Sequence, residues 1–122
     1  MKVALISCSK SKRSYKCKAL ELYSPSKLFS LSYQYAKTFA DKIYILSAKY
    51  GLVEENEIIE PYEKSLMDSD KDYNELWANS VLFKLSKVCD LERDEFFILA
   101  GKNYYENLIS DLKHYELPLG KL

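Results

Sequence analysis

Three short apolar runs constrain this chain more than anything else in it: VALIS at 3–7, IYILS at 43–47 and FFILA at 96–100. Each is rich in β-branched or aromatic residues, as strands are. None alternates apolar with polar, which is the pattern of strands covered on both faces. The long stretches between them carry helical periodicity. Strands joined by helical crossovers specify a parallel sheet between helical layers. The expected fold is therefore α/β, a three-layer sandwich with a small, mostly parallel sheet, in one domain covering 1–122.

The helices can be bounded from their caps. Ser24-Pro25 places a serine cap before a proline in the first helical position, so a first helix is predicted from there to about Ala40. Its expected apolar stripe is Leu28, Leu31 and Tyr35, with Phe29, Ala36 and Phe39 beside them. A second helix is predicted to start among Asp68, Ser69, Asp70 and Asp72, where negative charge suits the helix dipole. It would bury Tyr73, Trp77, Val81, Leu85 and Val88, with Leu76 alongside. A third is predicted from Asn103, with Glu106 as its capping-box partner and Leu108, Ile109, Leu112 and Tyr115 facing inward. The tail ELPLGKL reads as a last short strand or as coil.

Each apolar run stops in a turn that is polar or contains glycine. The first leads into Ser7, Cys8, Ser9, Lys10, Ser11 and Lys12; the second into Ser47, Lys49, Tyr50 and Gly51; the third into Gly101, Asn103 and Tyr104. Ligands of parallel α/β sheets bind just beyond the carboxyl ends of the strands. These turns are therefore expected to converge on one crevice. Serine hydroxyls there donate without bulk, and lysines supply point charges for phosphate or carboxylate. Gly51 and Gly101 allow close backbone approach, and free N–H groups at a following helix start suit an anion. After the acidic loop, Pro61 stiffens the chain and holds Tyr62 in place, either as a stacking wall over the crevice or as a plug beneath the loop. Glu63 is the best-placed acid nearby.

Charge is balanced overall but not along the chain. Residues 1–50 hold ten Lys/Arg against Glu21 and Asp41, while 51–122 hold eight against sixteen Asp/Glu. A basic first half suits phosphate partners, or the halves complement each other on folding. The P-loop and dinucleotide fingerprints are both absent, so neither cofactor class is expected. Three cysteines without a Cys-x-x-Cys pair, and a single histidine, give no metal set. Cys8 has Lys10 and Lys12 close by, an electropositive setting for a thiol. His114, however, is expected far away, so a Cys–His nucleophile is not expected. No apolar run is long enough to span a membrane, and with no targeting segment a cytoplasmic setting is expected.

Four segments in order, ISCSKSK at 6–12, LSAKYGLV at 46–53, EPYEKSL at 60–66 and LAGKNYYENL at 99–108, resemble the YaaA-like proteins. The resemblance carries Ser7, Lys10, Ser47, Tyr50, Gly51, Pro61, Tyr62 and Tyr104 over as site positions. It implies a nucleotide- or nucleic-acid-directed domain, with a link to stress. DNA binding in the longer relatives is ascribed to a helix-hairpin-helix-like element, and no Gly-x-Gly hairpin of that kind occurs here. The resulting expectation is a nucleotide or nucleic-acid ligand at the strand ends. The alternatives are an enzyme modifying or cleaving a nucleobase or nucleoside, and a non-enzymatic protein-interaction domain. Oligomeric state is not legible.

Overall fold

The computed structural model of the chain describes residues 1–121. Its elements run β1 (Lys2–Ser7), β2 (Cys17–Lys18), α1 (Ala19–Leu22), α2 (Lys27–Lys37), β3 (Lys42–Ser47) and β4 (Gly51–Glu54). Then follow β5 (Ile58–Ile59), α3 (Lys71–Val88), β6 (Glu95–Leu99), α4 (Lys102–Tyr105) and β7 (His114–Glu116), with short 3-10 turns on either side of β7. Five strands form one sheet in the order β4-β3-β1-β6-β7. The β1–β3, β1–β6 and β6–β7 pairs are parallel, and β4 returns antiparallel on β3. This is the three-layer, mostly parallel α/β sandwich expected from the three runs.

The apolar runs became strands because they can be buried on both faces: Val3 to Ile6 and Ile43 to Ser47 are buried without interruption. The crossover from β1 to β3 moves one way across the sheet. The crossover from β3 to β6 moves back past β1 to the other side. Right-handed crossovers then put α2 and α3 on opposite faces. Connections leave β1 and β6 in opposite directions, which opens a crevice at their carboxyl ends.

The helices differ from the sequence expectation in instructive ways. α2 starts at Lys27 and is capped by Ser26, whose hydroxyl accepts the Phe29 N–H, rather than by Ser24. It ends at Lys37, short of Ala40. Its inward residues are Phe29, Ser32 and Ala36, while Leu28, Leu31 and Tyr35 lie exposed. Small residues at the second and third of these positions let the helix lie close on β1. The helix that runs from 71 to 88 keeps its expected face: Trp77, Val81 and Leu85 are buried, and Asp70 is the cap, accepting from Tyr73 N–H. Leu76 and Val88 are exposed, and Asn74, Ala78 and Leu82 complete the inner face.

The third helix is the main correction. α4 is four residues long, Gly101 rather than Asn103 precedes it, and no side chain caps it. Leu108 and Leu112 are buried as expected, but through a 3-10 turn. Tyr115 lies in β7 and is exposed. The reason is backbone accounting: β6 would otherwise present an unpaired edge, and residues 114–116 satisfy it. A last strand therefore exists, but it sits just before the tail, whose final residue, Leu122, lies outside the described residues.

Candidate functional site

The register brings the carboxyl ends of β1, β3 and β6 to one edge, with Ile6 beside both Ile45 and Leu99. Cys8, one step past β1, knits the three ends together. Its N–H donates to the Leu46 carbonyl at 2.8 Å, extending the ladder beyond Ser7. Its Sγ receives the Ala48 N–H at 3.4 Å and stands 3.4 Å from the Tyr104 Oη.

Beneath this junction lies a buried polar layer. Ser47 donates to the Tyr62 hydroxyl at 2.8 Å, and the Tyr62 and Tyr23 hydroxyls are 2.7 Å apart. Ser47 also accepts the Tyr50 N–H at 3.0 Å, and its carbonyl accepts the Trp77 indole N–H at 2.7 Å. Tyr73 donates to the Ala48 carbonyl at 2.7 Å, so α3 grips the β3 turn twice. Burial, chiefly, pushes the Tyr62, Tyr23 and Tyr104 phenols well above their ordinary value, and the adjacent Cys8 sulfur adds to each. These phenols are protonated donors at neutral pH.

Tyr62 reaches this position through a device that the sequence did not announce. β2 and β5 pair antiparallel, Cys17 with Ile59 and Lys18 with Ile58. Further bonds from Ala19 N–H to Glu57 and Leu20 N–H to Glu55 pin the acidic loop to the segment after β1. The chain then enters Pro61 and Tyr62 directly under the β1 turn. Tyr62 is 9% exposed and packs its ring edge-on to Tyr50 at 5.6 Å. It is the plug of the two expected arrangements.

Above the layer opens a cavity of about 570 Å³. One side is the β1 turn: Cys8, Ser9, Lys10 and Lys12. The other is the 63–69 loop, with Glu63, Lys64, Ser65, Met67, Asp68 and Ser69, and Tyr104 closes the end. Ser9 Oγ bonds the Ser11 carbonyl at 2.7 Å, stiffening the turn. The Lys12 Nζ lies 4.8 Å from the Tyr62 ring centre, and the Lys64 Nζ 4.0 Å from that of Tyr73. Leu66, fully buried, and the Asn74 amide, which donates to the Leu66 carbonyl at 3.0 Å, hold the loop down.

The expected site residues thus divide into groups. Cys8, Ser9, Lys10, Lys12, Glu63 and Tyr104 line the cavity. Ser47 and Tyr62 support its floor, and Ser7 faces the other side of the β1 turn. Lys49 is exposed with its Nζ 5.2 Å from the Tyr50 ring centre, and Tyr50 and Pro61 are half-buried outside the lining. Gly51 makes the β3–β4 turn with φ +77° under Val81, and Gly101 is an exposed cap residue. His114 pairs with Glu95 at the opposite, amino edge of the sheet, so it does not serve Cys8. No residue of the 64–69 wall was named as a site position from sequence; its signals were the EPYEKSL segment, which runs into it, and the Pro-Tyr anchor immediately before it. Among the described residues no group of three or more His, Cys, Asp or Glu could hold a metal, and no helix is long and apolar enough to cross a membrane.

Comparison with known proteins matches residues 3–122 to the model of a family of unknown function (DUF6884). A UPF0246 protein of Flavobacterium johnsoniae is 26% identical over 104 residues, 81% of this chain and 40% of that protein. The chain therefore spans well under half the length of that curated relative. No solved structure matches it.

Proposed function

The chain belongs to this family of unknown function, and from that premise we propose that the domain binds a nucleotide at the carboxyl ends of β1 and β6. The observation that carries the reading is the cavity itself. It lies where connections diverge from the two strands, and its volume of about 570 Å³ falls within the range of roughly 300–1,000 Å³ typical of small-ligand sites. Lys10, Lys12 and Lys64 stand around it, while Ser9, Ser65 and the Tyr104 phenol offer neutral hydrogen-bonding groups. That mixture suits a ligand with a polar ring and negative charge. The distant likeness to the UPF0246 (YaaA) protein agrees with a YaaA-like assignment. The floor favours holding a ligand over abstracting a proton, because its phenols are held in the protonated form.

The test is thermal melting with a panel of nucleosides, nucleotides and short single-stranded oligonucleotides. A ligand at about one hundred times its Kd adds about 2.7 kcal/mol to stability. The expected result is a rise in Tm for at least one nucleotide, greatly reduced in Lys12→Glu and Lys64→Glu. Absence of a shift with every probe, or equal shifts in both variants, would count against the reading. A shift only with oligonucleotides that weakens steeply with salt would redirect it to nucleic acid.

A further inference from the structure

We propose that the phosphate of such a ligand sits outside the large cavity, in a separate oxyanion pocket on the far side of the β1 turn, under the first turns of α2. This rests on the nucleotide reading for the identity of the whole ligand, but the pocket has its own evidence. A second cavity of about 290 Å³ lies there, lined among others by Ser7, Lys10, Ser26, Leu28, Ser32 and Leu99. Residues 8–10 line both cavities, so the β1 turn is a shared wall and one ligand can straddle it.

The key observation is Ser32. It is 5% exposed, yet its hydroxyl has no hydrogen-bond partner among the described residues. Serine within a helix commonly bonds back to a carbonyl of the preceding turn. Thr38 does so, to Tyr35, and Ser30 reaches back to Ser24, but Ser32 does not. Among the described residues, the one fully enclosed side-chain oxygen lacking a partner is Asn74 Oδ1. The Ser32 oxygen therefore keeps its opening into the cavity. Its hydrogen-bonding capacity is left for a ligand or water to meet from the cavity side.

The surroundings select an anion. The Ser7 hydroxyl also lacks a partner among the described residues. The eleven-residue α2 points its amino end here, and Ser26 takes up the Phe29 and Ser30 N–H groups, leaving those of Lys27 and Leu28 at the positive end of the helix. Lys10 is the only charged side chain in the lining. The large cavity mixes charges, Glu63 and Asp68 among Lys10, Lys12 and Lys64, whereas no carboxylate lines this pocket. Leu28, Phe29 and Leu99 add low-polarity walls that strengthen each charge-assisted bond.

The experiment is an amide NMR titration of the full chain with three probes: inorganic phosphate, a nucleoside, and the corresponding nucleoside monophosphate. Phosphate is expected to shift Ser9, Lys27 and Leu28 saturably, and Ser32→Ala to weaken it by about tenfold or more, the loss of one hydrogen bond to a charged group. Lys10→Gln is a second variant at an exposed position, should Ser32→Ala perturb the fold; it too is expected to weaken phosphate. The nucleoside is expected to shift 63–69 and to lose binding in Lys64→Glu, with phosphate unaffected. Phosphate that shifts 63–69 instead, or that ignores both pocket variants, overturns this assignment and leaves the nucleotide reading standing. Phosphate seated at Ser32 with no response to any nucleoside or nucleotide overturns the nucleotide reading and keeps the pocket.

Discussion

Removing one oxygen, in Tyr62→Phe, tests the buried layer that supports the site. The Tyr62 hydroxyl is the meeting point of two bonds, to Tyr23 at 2.7 Å and from Ser47 at 2.8 Å. Tyr23 and Ser47 are both fully buried. Without the Tyr62 oxygen, the Tyr23 hydroxyl loses its 2.7 Å partner and is left with Ser47 alone, while Ser47 loses the acceptor it donates to and keeps the bond from Tyr50. Two buried hydroxyls each lose a bond, so Tyr62→Phe is expected to destabilise by about 1–3 kcal/mol. Tyr23→Phe leaves Tyr62 bonded to Ser47 and is expected to cost about 1 kcal/mol. In the double variant the bond between the two phenols is removed only once, so its cost is expected to fall short of the sum of the single costs, a non-additive cycle. Urea unfolding measures all three: with a slope of roughly 1–3 kcal/mol/M, Tyr62→Phe moves the midpoint by about 1 M. Equal costs for the two single variants, or costs that simply add, would refute the shared hydroxyl chain.

The same layer sets an alkaline limit. The folded values of Tyr23, Tyr62 and Tyr104 are raised above the ordinary value near 10, so the unfolded chain loses these protons first. Their contribution is full below about pH 10 and lost as pH rises through the folded values. Urea midpoints taken from pH 8 to 11.5 are expected to hold and then fall, less steeply in Tyr62→Phe; a flat profile would contradict the burial. Gly51→Ala is expected to cost about 1–2 kcal/mol, because φ is +77°, although an added Cβ would meet Ser80 and Val81 only at an ordinary contact distance of 3.8 Å. Gly101→Ala, with nothing within 4 Å, is expected to stay within about 0.5 kcal/mol in the same denaturation assay. Asp70→Ala removes the α3 cap and is expected to cost about 1 kcal/mol, read as a lower Tm; an unchanged Tm would show that the Tyr73 N–H finds another acceptor.

Much of the fold was written in local pattern. The runs at 3–7, 43–47 and 96–100 had no exposed face to offer, so they were committed to a covered sheet, and Asp70 with the Trp77, Val81 and Leu85 face committed α3. The polar turns after the strands were equally visible, because a buried strand cannot carry such residues except at its end. What stayed hidden depended on partners distant in the chain. The phase of α2 was chosen by how closely Ser32 and Ala36 let it approach β1, not by its most apolar residues. Residues 103–115 scanned as a helix because Leu108 and Leu112 are four apart, yet the open edge of β6 drew 114–116 into a strand. The cavity wall at 63–69 arrived through the β2–β5 clasp, two residues a side, too short to leave a periodic trace. Periodicity records which side of an element is covered; what covers it, and which free hydroxyl is left facing a hollow, is settled only when the elements meet.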